Sequence, residues 1–303
     1  MLTPAEFRAL HRPGAPLLLP NAWDLASARW LHAAGYEVLG TTSLGVAAVA
    51  GLPDGAGVAA DATLHLARRL TSAGLTVTVD IEAGFSTDPA AVGAYAAALA
   101  ALGVVGVNIE DSAPDGDLLP AATTADRIAA IASAAPGLFV NARTDAFWIE
   151  SSEARGDRLA EAVGRLRRYE AAGASGVFVP GVLEAEEVRT LVAATALPLN
   201  MLVQPPGGFD LRGLARLGVA RVSTGSLLVR AALGAVVATL AALEPDASAQ
   251  VAEPQIAEAR VAGGPVSPGE LDLRADRLAA ARALAPVVPG YAEVADHLAR
   301  TAD

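Results

Sequence analysis

Strand-like runs and alanine-rich helical runs alternate eight times along this chain, and that alternation constrains the fold more than any other feature. The strand runs are 16–23 (PLLLPNAW), 37–43 (EVLGTTS), 76–82 (TVTVDIE), 106–111 (GVNIED), 138–145 (LFVNARTD), 176–181 (GVFVPG), 197–203 (LPLNMLV) and 220–226 (ARVSTGS). Helical patterns fill 24–34, 61–73, 88–103, 123–134, 155–172, 183–196, 210–217 and 227–243. Several end at a glycine, such as Gly35, Gly74, Gly103, Gly173 and Gly218, the residue that tolerates a left-handed C-cap. Strict β-then-α alternation builds a parallel sheet with crossover helices. Eight units predict an α/β fold, a (β/α)8 TIM-type barrel over residues 1–245, with an open doubly wound sheet as the alternative. The Pro-, Gly- and Ser-bearing stretch 244–268 reads as a linker. Residues 246–303 therefore read as linker plus extra helices at 269–284 and 290–301, packed on the barrel or on a neighbouring subunit.

With 303 residues, 53% of them hydrophobic, the chain can bury one barrel-sized core. Its long apolar run 227–243 is alanine-rich and interrupted by Arg230, which suits a core helix better than a membrane span. The N-terminus, MLTPAEFRALHRPG, lacks the basic-then-apolar order of a secretory signal, so a cytoplasmic protein with no membrane partner is expected. A net charge of −11 argues against a nucleic-acid partner. All 22 basic residues are arginine and cysteine is absent. No lysine means no Schiff-base chemistry, no pyridoxal phosphate linkage and no Walker lysine. No cysteine means no thiolate nucleophile, no zinc-thiolate site and no disulfide.

Catalytic residues of such barrels sit at the C-terminal ends of the strands, and the polar residues here gather there: Asn21, Trp23 and Asp24; Thr41, Thr42 and Ser43; Asp80 and Glu82; Asn108, Glu110 and Asp111; Asn141, Arg143 and Asp145; Asn200; Ser223, Thr224 and Ser226. The period of two in a strand predicts one face for Asp80 with Glu82, for Asn108 with Glu110 and for Asn141 with Arg143. Carboxylates brought together repel unless a cation or a shared proton compensates. An all-oxygen ligand set, Asp80, Glu82 and Glu110, suits Mg2+, with Mn2+ as an alternative. Taken singly, acids such as Asp111 and Asp145 read as helix caps or arginine partners; three acids facing Arg143 at one mouth ask for more. The other signals are weaker. GAGVAA (55–60) fits the loose dinucleotide pattern but follows no strand, and STGS (223–226) either cradles a phosphate or caps the next helix. His11, His32, His65 and His297 lie away from strand ends and read as surface or packing residues, while Trp23 and Trp148 either wall a pocket or pack in the core.

These residues resemble the isocitrate lyase and phosphoenolpyruvate mutase superfamily, over about residues 16–235, through NAWD (21–24), TTSLGVAAVAGLPD (41–54), VDIEAGF (79–85), GVNIED (106–111), NARTD (141–145) and LPLNML (197–202). The resemblance implies that Thr42, Ser43 and Leu44 bind a 2-oxo acid largely through main-chain N–H groups, with Asp80, Arg143 and Asn200 in the substrate site. It implies Asp80 as the direct Mg2+ ligand, Glu82 and Glu110 in the shell through water, Asp54 as a further acid of that shell, and Arg143 steadying an enolate. Arg143, Glu110 and Asp54 form the candidate catalytic set. A metal and an arginine facing a 2-oxo acid lower the barrier to an enolate, which C–C cleavage, decarboxylation and phosphoryl migration share. The superfamily's exchange of the helix after the eighth strand implies a homodimer or homotetramer.

The sequence also departs from that pattern. Lyases of the superfamily carry a KKCGH-type loop after the fourth strand; here the stretch is SAPDGDLLPAATT (112–124), without a thiol. The lysine- and asparagine-bearing loop of the phosphonate branch is absent too. Pro180 and Gly181 replace a Pro-Glu pair, Asn200-Met201-Leu202 replaces Asn-x-Thr, and Glu82 stands where Asp is usual. The general acid/base has no assigned side chain. The expectation is a Mg2+-dependent carbon–carbon lyase acting on a small 2-oxo or 2-hydroxy carboxylate. The alternatives are an oxaloacetate decarboxylase or hydrolase, a mutase-like C–P enzyme, or a protein that binds a 2-oxo acid without turnover.

Overall fold

The computed structural model describes residues 1–149, 155–203 and 208–243. Helix α1 (Pro4–Ala9) precedes β1 (Leu17–Leu19), β2 (Asn21–Ala22), α2 (Leu25–Ala33), β3 (Val38–Thr41), α3 (Ser43–Ala50), α4 (Ala60–Ser72) and β4 (Thr76–Asp80). There follow α5 (Pro89–Ala101), β5 (Gly106–Ile109), α6 (Ala121–Ala134), β6 (Phe139–Arg143), α7 (Arg155–Ala171), β7 (Gly176–Phe178), α8 (Ala185–Ala193), β8 (Leu199–Leu202), α9 (Leu211–Arg216), β9 (Arg221–Ser223) and α10 (Leu227–Leu243). The chain divides into two units, Met1–Leu228 and Val229–Asp303. The expected linker and the helices at 269–284 and 290–301 lie outside the described residues. None of the described helices is long and apolar enough to cross a membrane.

All eight strand pairings are parallel, in the order β1-β9-β8-β7-β6-β5-β4-β3-β2. The expected first strand, 16–23, is therefore two short strands that meet the two edges of the sheet. β1 pairs with β9 and β2 with β3. The break falls at Pro20, which has no N–H to donate to a ladder, while its carbonyl still accepts from Gly40 N at 2.9 Å. One interrupted strand thus joins both edges, and the α/β TIM-type barrel is the fold. The remaining predicted strands appear at their places, most of them shorter by one to three residues at an end.

Two helices go beyond the sequence reading. Helix α1 is specified locally by a capping box, Thr3 with Glu6, and by Pro4 at its first turn. It closes the N-terminal end of the barrel: Phe7 is fully buried and meets the ring of Phe139 at 5.3 Å, and His11 stacks on that ring at 4.3 Å. His11 is a packing histidine, as expected. Gly106 and Gly176 make room for Phe139, since a Cβ on either would fall 2.8 Å from one of its atoms. Helix α3 is apolar on every side, so it lacks the 3.6-residue periodicity that betrays a surface helix. It begins at Thr42, ends at Gly51 with φ 69°, and turns part of the expected second strand into a helix N-terminus.

Candidate active site

The mouth is built from the ends of β3, β4, β5 and β6. Strand β4 stops at Asp80, because Asp80 Oδ1 accepts from the N–H of Glu82 at 3.1 Å and Glu82 takes a left-handed conformation, φ 49°. The strand period therefore does not align these two acids; a tight turn does. A left-handed glutamate is strained, and it is held by Glu110 N donating to Glu82 O at 2.9 Å and by Gly57 N donating to Oε2 at 2.9 Å. Gly57, with φ 71°, belongs to the GAGVAA stretch, whose contact with the mouth is this bond to Glu82. The side chain of Glu82 is 2% exposed, and its Oε1 has no hydrogen-bond partner among the described residues. Burial lifts its carboxyl to about 7, against the Gly57 N–H and with the help of Asp80 and Asp54.

Asp80 is reached by the first turn of α3. The Asp80 main-chain N–H donates to the Thr41 hydroxyl at 2.9 Å, one residue before the N-cap of α3, and Ser43 in that first turn favours the ionised forms of Asp80 and of Asp54, which lies at the exposed rim. Thr42 makes no side-chain cap, so the N-terminus of α3 faces the mouth without one. Burial raises the Asp80 carboxyl to about 6; the Arg143 charge opposes this and Asp54 adds to it. Burial also raises Asp54, against Ser43 and Arg143.

Arg143 ends β6. Its NH1 meets Glu110 Oε2 at 2.8 Å, and its Nε and NH2 fork onto Asp145 at 2.6 and 3.0 Å. Trp148 and Phe178 lie against the guanidinium at 5.7 and 5.6 Å. Burial disfavours its charged form, yet Asp145, Glu110 and Asp80 outweigh that and hold it protonated. Glu110 is raised well above the carboxylate range by burial, in spite of Arg143. Behind this pair a network fixes the geometry. Asp145 accepts from the Ser112 hydroxyl and donates its N–H to Asp111 Oδ1 at 2.8 Å; Asp111 Oδ2 is bound by Arg165 at 2.9 Å and by the Tyr169 hydroxyl at 2.7 Å. Asp111 and Asp145 are the arginine partners that each suggested singly. Ser112 belongs to the short loop that closes on itself through Ala113 N to Asp117 O at 2.8 Å.

The structure thus brings Thr42, Ser43, Asp54, Asp80, Glu82, Glu110 and Arg143 to one mouth. Asn200 lies deeper, 1% exposed and paired with Ser223. In the STGS stretch, Thr224 N and Gly225 N donate to Asn21 Oδ1 at 3.0 and 2.9 Å, so these two main-chain groups are engaged within the fold. Trp148 is 55% exposed and walls the mouth over Arg143. The part of Gly57 here was not foreseen, and Asp145 was expected as an arginine partner but not as the link from Arg143 to Asp111. The alternation in RTD and the glycines after GLPD were their only signals in the sequence. Among the described residues, no three His, Cys, Asp or Glu side chains converge to enclose an ion by themselves.

The family model for phosphoenolpyruvate phosphomutase matches residues 7–244. The chain belongs to this family. An uncharacterized protein of Mycobacterium tuberculosis (strain H37Rv) is 40% identical over 228 residues, 75% of this chain and 84% of that one. The oxaloacetate decarboxylase of Bradyrhizobium sp. is 30% identical over 244 residues, 75% of this chain and 80% of that one. In fold, phosphonopyruvate hydrolase, solved in complex with oxalate and Mg2+, is similar with a TM-score of 0.70 at 22% identity, covering 93% of this chain and 98% of that one. Membership in the phosphoenolpyruvate phosphomutase family and the barrel agree with the motifs that first suggested them.

Proposed function

We propose that this protein is a Mg2+-dependent carbon–carbon lyase that cleaves a small 2-oxo or 2-hydroxy carboxylate through an enolate, with oxaloacetate the first substrate to test. One observation carries the reading: Arg143, paired with Glu110 at 2.8 Å, and the uncapped N-terminus of α3 open on the same mouth as Asp80, whose N–H bonds Thr41 at the start of that helix. A cation and a helix N-terminus form a site for a small anion, and Asp80 beside them supplies a hard oxygen ligand.

The residues fit a divalent cation. The donors are all oxygen, and the buried Oε1 of Glu82 lacks a partner that an ordered water would supply. Because the acids do not enclose an ion by themselves, Asp80 would hold Mg2+ or Mn2+ directly, with Glu82, Glu110 and Asp54 acting through water. The bound metal supplies Lewis-acid polarisation of the 2-oxo group. The chain's own residues do the rest. Main-chain N–H groups of Thr42, Ser43 and Leu44 grip the carboxylate. Arg143, locked by Asp145 and with the rings of Trp148 and Phe178 near its guanidinium, offers its remaining N–H groups to the developing negative charge. Decarboxylation suits a site without a thiol in the loop at 112–124, and the Bradyrhizobium relative supports oxaloacetate.

The test is product release with Mg2+ present throughout: pyruvate from oxaloacetate, glyoxylate from isocitrate and pyruvate from methylisocitrate, with phosphonopyruvate as a C–P control. Turnover of a C–C substrate is expected, and Asp80→Asn should lower kcat/KM by about 100-fold or more, the scale for losing a preorganised charge-stabilising group. Full activity in Asp80→Asn would refute the site. Calorimetric binding of a 2-oxo acid with no turnover of any candidate would replace the lyase reading with a binding protein.

A further inference from the structure

Arg221, which opens β9, is the largest fully buried side chain described. Its NH2 donates to Asn108 Oδ1 at 3.2 Å. Asn108 is on β5, four steps away in the strand order, so the guanidinium crosses the barrel interior. Asn108 is the register partner of Asp80 and also accepts from Asn141 Nδ2 at 2.9 Å. Nε and NH1 of Arg221 have no hydrogen-bond partner, and Arg221 forms no ion pair among the described residues. Burial pulls its pKa down to about 9, partly offset by the Asp80 charge, so it stays protonated at neutral pH. A buried charge without a carboxylate partner is among the costliest features a core can carry.

The mouth above it explains what such a charge can do. Asp80, Glu82, Glu110, Asp54 and Asp145 surround one exposed-side cation, Arg143, which two of those acids already engage. Once ionised, as a bound divalent cation requires, those acids repel an incoming carboxylate. We propose that Arg221 is an internal counter-charge: from inside the barrel, without touching the ligand, it raises the affinity of the mouth for a di-anionic carboxylate and lowers it for a divalent cation. This inference rests on the metal and 2-oxo acid reading above.

Opposite signs make it testable. The purified full chain, wild type, Arg221→Met and Arg221→Lys, is titrated with Mn2+ alone and with oxalate at saturating Mg2+. Arg221→Met should bind oxalate about five- to tenfold more weakly and Mn2+ more tightly by a similar factor, the scale for unit charges acting through a medium of effective dielectric about 20. Arg221→Lys should restore both constants towards wild type. A purely structural role predicts that both ligands weaken together. If Arg221→Met fails to fold, Asn108→Asp places a carboxylate on the guanidinium and should give the same opposed pair of shifts. Unchanged constants, or shifts of the same sign, in a folded variant overturn the inference. A wild-type chain that binds neither probe overturns the underlying site reading, and this inference with it.

Discussion

Asp80 and Glu82 carry carboxyls that burial makes reluctant to ionise, at about 6 and about 7. In the unfolded chain both titrate near 4. Without metal, the folded protein therefore binds more protons than the unfolded chain between about pH 4 and pH 7, and stability falls as pH rises through that window. The contribution is fully present below the unfolded values and lost above the folded ones. A divalent cation reverses the trend because it needs the ionised forms. Urea unfolding with EDTA should give a lower midpoint at pH 8 than at pH 5.5, and Mg2+ should raise the midpoint more at pH 8. A Mg2+ effect that is absent, or larger at pH 5.5, would count against a metal at these acids.

At the scale of elements, α1 is the plug of the barrel and its worth should be measurable. Phe7 is fully buried and touches Phe139 and His11. Phe7→Ala should cost about 3–5 kcal/mol in equilibrium unfolding, as large-to-small changes in packed cores do. The site lies at the opposite end of the strands, so ligand affinity of the folded fraction should be unchanged. A loss below about 1 kcal/mol would mean that α1 does not close a packed core. Helix α3 was illegible for the reason that makes it useful. Buried residues Gly45, Val46 and Ala47 and a run with no polar face give no period to read, yet the helix starts beside Asp80, whose N–H bonds Thr41.

At the scale of the molecule, the exposed apolar residues of α10 bear on assembly. Leu233, Val236 and Leu240 are 49%, 58% and 58% exposed along a helix whose only charge is Arg230. Exposed apolar surface of this kind marks an association site. We propose that the protein is a homodimer or homotetramer, in which a second copy covers this face. Sedimentation equilibrium at micromolar concentration should give a multiple of the 30.5 kDa chain mass; a monomer would refute it.

The sequence by itself determined the barrel and the membership of its mouth. Periodicity of two and 3.6, punctuated by Gly35, Gly74, Gly103, Gly173 and Gly218, is local physics. The rule that strand ends carry chemistry pointed to Asp80, Glu110 and Arg143, which lie together at the ends of β4, β5 and β6. Tertiary structure alone decided how those groups are held. The split at Pro20 needed both sheet edges, β3 and β9. The turn at Glu82 needed Gly57 and Glu110 from other loops. The lock on Arg143 runs through Asp145 and Asp111 to Arg165 and Tyr169 on α7. The buried charge of Arg221 became visible only when β5 was seen across the barrel from β9. Hydrogen bonds and burial depend on partners far apart in sequence, and a one-dimensional pattern records neither.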